Sequence, residues 1–290
     1  MRFDIRQNLQ RMRAYLQDAT SNVGRQRLTP SDLSHGALAQ CLEFVAAAQF
    51  LSVIPVPGSA RLFSRSTTDP RYIMGSGYFS LIGFLLGLIT CILPWIFGAI
   101  FPSLVLAALV VVALVALTGG LHLDGLMDTF DGVFGRADPD RKLEIMRDSR
   151  VGSFGVLGAL CVLLLKFALF ASLGASLMIP ALLIVPAVAR WAMILAARIF
   201  PSARITGLGA TFRQTITIPS LVLAALVSLL AALIFGHLVG LLVWVGASVV
   251  AVAIAAGISR LLGGLTGDVY GAIIEITEVV ALLLFVAIRF

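Results

Sequence analysis

Charge is scarce in this chain of 290 residues, of which only 12% are Asp, Glu, Lys or Arg. Soluble domains carry about 25%. No charged residue occurs within residues 72–123 or 214–259, and each of these stretches is long enough for two membrane crossings. Because 59% of the residues are hydrophobic and the mean hydropathy is +1.02, the composition excludes an ordinary soluble fold.

Cysteine is scarce too, and the chain has only Cys41, Cys91 and Cys161. Each stands alone in an apolar run without CxxC spacing, which excludes a disulfide scaffold and a thiolate metal site. We expect the three to pack as small hydrophobic residues. A basic face interleaved with aromatic residues is also missing, so the net charge of +6 does not indicate a nucleic-acid partner.

Long apolar segments separated by loops make up most of the chain. We predict membrane helices over the segments 78–101, 103–121, 155–175, 177–200, 219–236, 238–258 and 269–288. The breaks at Gly174-Ala175-Ser176 and Gly236-His237 are short and uncharged, whereas the loops on the other side hold nearly all of the 21 Lys and Arg residues. By the positive-inside rule those loops are cytoplasmic. The sequence therefore predicts an all-α, polytopic protein of the inner membrane, with about seven transmembrane helices and a cytoplasmic N-terminus.

The N-terminal part of the chain departs from this pattern. Residues 1–36 are polar and rich in arginine, and we expect a cytoplasmic extension, without a signal peptide, that lies on anionic lipid. Residues 37–54 are apolar enough to span but contain Glu43, and a crossing would place the arginines that follow them outside. We therefore favour a re-entrant or interfacial helix there. Residues 37–290 would form one helical membrane catalytic domain, with an acidic cytoplasmic loop at 118–154.

The acidic loop contains three aspartates, Asp124, Asp128 and Asp131, spaced by four and three residues. On a helix this spacing places all three carboxylates on one face, about 5–6 Å apart between neighbouring Cβ atoms. Like charges so close repel one another, and a divalent cation would relieve the repulsion. Carboxylates without cysteine suit Mg²⁺, which also takes phosphate oxygens. The pattern predicts transfer at a phosphate or diphosphate, and a solvated helix face is the alternative.

Three neighbours of these aspartates fit the same chemistry. Gly125 and Gly132 directly follow two of the carboxylates and leave room for a bulky phosphorylated substrate. His122 could deprotonate an attacking hydroxyl or bind a phosphate. An interfacial histidine without a catalytic role is the alternative.

The later part of the acidic loop carries a second set of charges. Glu144 and Asp148 are four residues apart, and Arg147 and Arg150 could reach phosphate oxygens or pair with these acids. A surface helix stabilised by ion pairs is the alternative that spacing alone leaves open.

A third polar cluster, Gly263-Gly-Leu-Thr-Gly-Asp268, leads into the last predicted helix. Glu275 and Glu278 follow within that helix, where a carboxylate is costly and is expected to be functional or paired. Arg190 is a candidate partner or phosphate ligand. Lys166 could snorkel or pair with a buried acid.

Three motifs together resemble those of the cobalamin synthase family, the adenosylcobinamide-GDP ribazoletransferases of the late vitamin B12 pathway. They are Thr118-Gly-Gly-Leu-His-Leu-Asp-Gly-Leu-Met-Asp-Thr-Phe-Asp-Gly132, Leu143-Glu-Ile-Met-Arg-Asp-Ser-Arg-Val-Gly152 and Gly263-Gly-Leu-Thr-Gly-Asp268. The segments Gln49–Pro57 and Arg204–Gly209 resemble further family motifs. The resemblance covers about residues 40–285.

The resemblance implies a magnesium-dependent transferase. Adenosylcobinamide-GDP would react with α-ribazole, or its 5'-phosphate, to give adenosylcobalamin, or its 5'-phosphate, and GMP. The expected metal ligands are Asp124, Asp128, Asp131, Glu144, Asp148 and Asp268. The residues expected to contact substrate or phosphate are Arg147, Asp148, Arg150, Arg204, Gly263, Gly264 and Thr266. His122 is the expected base, with an aspartate as the alternative.

Two other functional classes stay open at this point. A phosphotransferase that uses a CDP-linked donor also holds Mg²⁺ with aspartates on a helix, but its Asp-Gly and Ala-Arg spacing is not intact here. An ion-coupled transporter would place its acids near the membrane midplane, whereas most acids here belong to predicted cytoplasmic loops, with Glu275 and Glu278 as the exceptions. The expected partners are the lipid bilayer and the two substrates. The protein could also associate with itself or with other enzymes of the late cobalamin pathway.

Overall fold

The structure is a computed structural model that describes residues 37–56, 74–135, 138–148 and 150–289. The predicted N-terminal extension and the three arginines between residues 57 and 73 lie outside the described residues. The helices in chain order are α1 (Ala37–Leu51), α2 (Phe79–Thr90, after a 3-10 turn at Ser76–Tyr78), α3 (Ile92–Phe97), α4 (Ser103–Thr118), α5 (Leu121–Phe134), α6 (Pro139–Ile145), α7 (Ser153–Ile199), α8 (Leu208–Thr215), α9 (Ile218–Leu262) and α10 (Gly267–Arg289).

The prediction of an all-α membrane protein is confirmed. In the ranges that the structure describes no strand forms, and one isolated parallel bridge joins Ser202 to Leu265. Four helical stretches there are long and apolar enough to cross a membrane, namely residues 76–97, α7, α9 and α10. The count rises to five if α4 and α5 together make one bent span. The number of about seven crossings stays a prediction.

Helix α9 folds back on itself at the break that the sequence predicts. His237 has the non-helical angles φ 51° and ψ −132°, and it divides the helix into α9a (218–236) and α9b (238–262). On a straight helix Ser228 and Trp244 would lie about 24 Å apart. Instead, the indole Nε1 of Trp244 donates to Ser228 Oγ over 2.9 Å. The two halves are therefore antiparallel neighbours.

Helix α7 has the same organisation. Gly174, with φ 66° and ψ 168°, divides it into α7a (153–173) and α7b (175–199). Lys166 and Arg190 would lie about 36 Å apart on a straight helix, yet both form ion pairs with Glu278. A glycine suits this turn because it adopts a positive φ without steric cost.

Helix α7b lies at the centre of the bundle, and every residue from 181 to 194 is buried. Helix α2 packs closely against it because Gly83 and Gly87 face the backbone carbonyls of Pro186 and Leu182, where a Cβ atom would collide. Glycines four residues apart allow such close helix contacts in membranes.

An aromatic pair connects α7b to α9b. The rings of Trp191 and Trp244 are stacked with their centroids 5.4 Å apart. Each indole nitrogen donates to a serine, Trp191 to Ser248 over 3.0 Å and Trp244 to Ser228 over 2.9 Å. The polar ends of both rings are thus satisfied within an apolar bundle, as buried tryptophans require.

The N-terminal helix α1 is short for a membrane crossing. Its 15 residues extend about 22 Å, whereas the hydrocarbon core is about 30 Å thick. It packs beside the 3-10 turn, where the Tyr78 hydroxyl donates to Gln40 over 2.6 Å and the Phe44 ring meets the Tyr78 ring edge-on. This length fits the predicted re-entrant or interfacial helix, which stays a prediction.

Candidate active site

The predicted helix that carries the aspartates is α5, and it turns sharply away from the membrane helix before it. Gly119 and Gly120 both adopt left-handed angles, with φ of 63° and 72°, and α5 is bent by 89° relative to α4. A side chain at either position would strain the backbone. Because residues 121–134 form one helix, Asp124, Asp128 and Asp131 lie on one face of it, as their spacing predicts.

Helix α5 has two faces of opposite character. One is buried and consists of His122, Gly125, Leu126, Thr129 and Gly132. On the other face Asp124 is exposed, while Asp128 and Asp131 are half-buried. The carboxylates thus lie on the more exposed face, while the small residues and the histidine face the bundle.

The buried face of α5 lies directly against the start of α10. A Cβ atom on Gly125 would come within 2.7 Å of the Asp268 carbonyl oxygen, and one on Gly271 within 3.0 Å of the His122 carbonyl oxygen. This contact places the Asp268 carboxylate within electrostatic range of Asp124. Asp124 and Asp268, 144 positions apart in sequence, are therefore near each other, as their predicted role as ligands of one metal site requires.

Arg204 joins these acids through a loop that is anchored to the start of α10. The Ala203 amide donates to the Leu265 carbonyl over 2.9 Å, and the Leu265 amide donates to the Pro201 carbonyl over 2.8 Å. Gly264 is required there, because a Cβ atom would lie 2.5 Å from the Ala203 nitrogen. The paired segments bring Arg204 Nη1 to 4.0 Å from Asp268 Oδ2.

The surroundings of Arg204 complete the cluster. Burial lowers the pKa of its guanidinium, and the carboxylates of Asp268 and Asp128 oppose that shift while Arg147 reinforces it. The Thr266 hydroxyl donates weakly to Asp268 over 3.4 Å. We call Asp124, Asp128, Asp268 and Arg204 the acid site. It combines partly exposed carboxylates with a half-buried cation at one end of the bundle.

Asp131 has a different set of contacts from its two neighbours on α5. Its carboxylate accepts from the backbone amide of Gly152 over 2.9 Å and from that of Gly155 over 2.8 Å. These are unpaired amides of the first turn of α7a, which a carboxylate satisfies and stabilises. Asp131 thereby connects α5 to α7a, and its predicted role as a metal ligand stays a prediction.

The second charged set forms surface ion pairs. Arg141 Nη1 lies 2.6 Å from Glu144 Oε2, with both side chains about 65% exposed. Arg150 donates to both oxygens of Asp148 and holds the pKa of that carboxyl at about 2. The alternative of a surface ion-pair network thus describes their arrangement, and their predicted roles toward metal and phosphate stay predictions.

One residue that positions α5 was missed by the sequence analysis. Lys142 is buried, and its ammonium donates to the carbonyls of Val133 and Gly135 over 2.6 and 2.7 Å and to that of Gly132 over 3.3 Å. These carbonyls belong to the last turn and end of α5, where a cation is favourable. A lysine shortly after a helix end was the only available signal, and it is too common to be specific.

His122 does not join the carboxylates, contrary to expectation. Its side chain is only 4% exposed, and Arg190 Nη2 lies 3.4 Å from its Nδ1. Two residues along a helix correspond to a turn of about 200°, so His122 and Asp124 point to opposite sides of α5. The geometry favours the alternative of an aspartate as the base.

The six predicted metal ligands lie in three different places. Asp124, Asp128 and Asp268 belong to the acid site. Asp131 accepts from the amides at the start of α7a, and Glu144 and Asp148 form surface ion pairs. In the described part of the chain, no group of three or more His, Cys, Asp or Glu side chains is arranged to hold a metal ion. Mg²⁺ commonly needs only one or two protein carboxylates, with water and substrate phosphates as the remaining ligands. Asp124 and Asp128, one helical turn apart, fit that donor set.

The close contact at Gly125 yields a first prediction. Gly125→Ala would bring a methyl group against the backbone of Asp268 and force α5 and α10 apart. Because a displacement of about 1 Å can cost about 100-fold in rate, we expect the rate of the reaction at this site to fall about 10- to 100-fold. Steady-state kinetics of the purified variant would measure this. Gly257→Ala is the control because its Cβ meets open space, and an unchanged rate for Gly125→Ala would contradict the prediction.

Comparison with known proteins gives the family of the chain. The chain matches the cobalamin-5-phosphate synthase family over residues 43–286, a range that includes the whole acid site. The chain belongs to this family. The resemblance that the sequence motifs indicated is therefore confirmed.

Curated relatives of this protein align with most of the chain. A protein of Roseiflexus sp. (strain RS-1) is 41% identical over 236 residues, which are 81% of this chain and 86% of the relative. One of Desulfitobacterium hafniense (strain Y51) is 39% identical over 244 residues, 81% of this chain and 92% of the relative. Both are named adenosylcobinamide-GDP ribazoletransferase. No solved structure matches the chain.

Proposed function

We propose that this chain is the transferase of the late cobalamin pathway that joins adenosylcobinamide-GDP to α-ribazole or its 5'-phosphate. The products are adenosylcobalamin, or its 5'-phosphate, and GMP. Membership of the cobalamin-5-phosphate synthase family and the printed names of the relatives support the reaction. The observation that carries the site assignment is the meeting of Asp124 on α5 with Asp268 and Arg204.

The reaction is a displacement at phosphorus. An oxygen of the ribazole forms a bond to the phosphorus nearest the cobinamide, and the bond from that phosphorus to the oxygen bridging to GMP breaks. GMP leaves with the bonding electrons, and the hydroxyl proton goes to a base. Catalysis of such a displacement consists mainly of positioning and of charge stabilisation.

The residues of the acid site divide these tasks. Asp124 and Asp128 would hold Mg²⁺, which supplies charge neutralisation on the diphosphate when bound. Arg204, half-buried beside Asp268, would bind a phosphate oxygen. We assign the proton acceptor to an aspartate of the acid site, because Asp124 and Asp128 lie on the more exposed face of α5 while His122 is enclosed behind it.

We also propose that the protein lies in the inner membrane with the acid site toward the cytoplasm. Arginines concentrate in the connections on the side of the acid site: Arg141, Arg147, Arg150, Arg204 and Arg213. The positive-inside rule places such connections in the cytoplasm. Self-association and association with other enzymes of the pathway stay predictions.

The transporter alternative is less well supported. Glu275 and Glu278, the acids within the last helix, both pair with Lys166 and are buried, so their charges are neutralised within the bundle. An ion path would need carboxylates that a moving ion can reach.

The experiment that tests the proposal follows GMP release by the purified protein in detergent. We expect release from adenosylcobinamide-GDP to require both α-ribazole and Mg²⁺, with one adenosylcobalamin formed for each GMP. Omitting α-ribazole is the control that separates transfer from hydrolysis. GMP release at the same rate without α-ribazole would contradict a transferase, and full activity in excess chelator would contradict the role of Mg²⁺.

A further inference from the structure

Four charged side chains meet inside the apolar bundle, away from the acid site. Lys166 Nζ lies 2.6 Å from Glu275 Oε2 and 2.6 Å from Glu278 Oε2, and Arg190 Nη1 pairs with Glu278 Oε1. All four side chains are at most 7% exposed. We call Lys166, Arg190, Glu275 and Glu278 the buried ion cluster. For both Lys166 and Arg190, pairing with buried acids was one of two alternatives that the sequence left open, and the structure has the pairs.

The buried ion cluster connects the helices of the acid site. Glu275 and Glu278 lie on α10, the helix that begins with Asp268. Arg190, on α7b, also lies 3.4 Å from His122, whose helix α5 carries Asp124 and Asp128. One guanidinium therefore contacts both helices on which the proposed catalytic carboxylates stand.

Helices α5 and α10 are packed so closely that one can hardly shift relative to the other. Glu275 follows Asp268 by seven residues, so the cluster lies about 10 Å farther along α10. Between them, α5 and α10 touch through backbone at Gly125 and Gly271, with no layer of flexible side chains in between. A shift of α10 at the cluster would consequently move Asp268 relative to the carboxylates of α5.

A contribution to folding stability does not by itself explain why four charged side chains occupy this buried position. Buried ion pairs often contribute less than apolar side chains of similar volume would, because removing the charges from water is costly. The network is also incomplete, since Arg190 Nε and His122 Nε2 find no hydrogen-bond partner among the described residues. In some proteins buried polar or ionic groups are retained because they specify one geometry.

We propose that the buried ion cluster is a positioning element for the transfer reaction: it sets how α10 lies against α5 and thereby the distance from Asp268 to Asp124 and Asp128. The inference rests on the proposed function. Its residues act through the two helices that carry the acid site.

The test replaces one ion pair of the cluster by apolar side chains of similar size. The double variant Arg190→Met/Glu278→Leu leaves Lys166 and Glu275 as a neutral pair. We expect a melting temperature at or above that of the wild type. We expect kcat to fall at least about tenfold with KM for α-ribazole nearly unchanged, because mispositioned groups lose rate without losing ground-state binding.

A second measurement does not depend on turnover. Mn²⁺ is a paramagnetic probe for a magnesium site, and its binding to the purified protein can be followed by electron paramagnetic resonance. Loss of the residues that orient metal ligands typically weakens metal affinity 10- to 100-fold, and we expect a weakening of about tenfold in the double variant. A purely structural role would leave the Mn²⁺ affinity unchanged in a folded variant.

A folded double variant with wild-type kcat and Mn²⁺ affinity would overturn the proposal. If the double variant does not fold, Glu278→Asp decides, since it keeps the charge but shortens the side chain; its kcat should fall several-fold, and a normal kcat would overturn the proposal. Ser228→Ala is the matched control, because it removes a part-buried hydrogen bond from Trp244 without removing a contact of the buried ion cluster or of the acid site, and it should leave kcat unchanged. Wild-type protein without transferase activity would instead refute the proposed function.

Discussion

Replacing Asp124 or Asp128 by asparagine is expected to lower the rate of ribazole transfer about 100- to 1000-fold, the usual cost of removing one electrostatic contact to a transition state. Asparagine keeps the size of the side chain but removes the negative charge that would hold Mg²⁺. Because Asp124 is exposed and Asp128 half-buried, neither substitution should unfold the protein. GMP release by each purified variant, over a series of Mg²⁺ concentrations, would measure the effect.

The matched control is Asp140→Asn, which makes the same chemical change at an exposed position in the first turn of α6. Its rate should stay within about twofold of the wild type, because an exposed charge near a helix start contributes only a few tenths of a kcal/mol. If Asp124→Asn and Asp128→Asn were folded and fully active, the assignment of these two carboxylates to the metal would be wrong.

Replacing Glu278 by glutamine is expected to destabilise the fold by about 3–5 kcal/mol, because it leaves a buried cation uncompensated. In the wild type, Lys166 and Arg190 face two carboxylates, and in the variant they would face only Glu275. Thermal unfolding in detergent, followed through the fluorescence of the stacked pair Trp191 and Trp244, would measure the loss.

The double variant Arg190→Met/Glu278→Leu serves as the comparison, because it removes one charge of each sign. It should recover all of the stability that Glu278→Gln loses, as replacement of a complete buried pair is often neutral or stabilising. A Glu278→Gln variant that unfolds at the wild-type temperature would contradict this prediction.

The elements of the fold could largely be predicted from local sequence. The two turns at Gly174 and His237 fell within predicted breaks, since short uncharged interruptions of apolar runs need a residue that leaves the helix. The aspartate stripe on α5 also followed from spacing, because helical periodicity alone decides which residues share a face. Family motifs then indicated the chemistry of that stripe.

The composition of the acid site was only partly predictable. Asp268 and Arg204 were candidates, but their meeting with α5 depends on the backbone contact at Gly125, which no local pattern reports. For Glu144 and Asp148 the spacing was equally consistent with ion pairs and with ligands, and the structure has the ion pairs. His122 was expected beside Asp124 because the two are near in sequence, although two positions on a helix point apart.

By itself the sequence determined that the chain is a helical membrane protein, that three of its aspartates form a stripe on one helix, and that charges inside the bundle had to be functional or paired. These properties follow from hydropathy, from helical periodicity and from the cost of a bare charge in an apolar medium, all of which act locally. Only the tertiary structure decided the partners. Lys166 meets Glu275 across 109 positions because the fold-back of α7 at Gly174 and the packing of α10 bring them together, and such contacts depend on how whole helices pack.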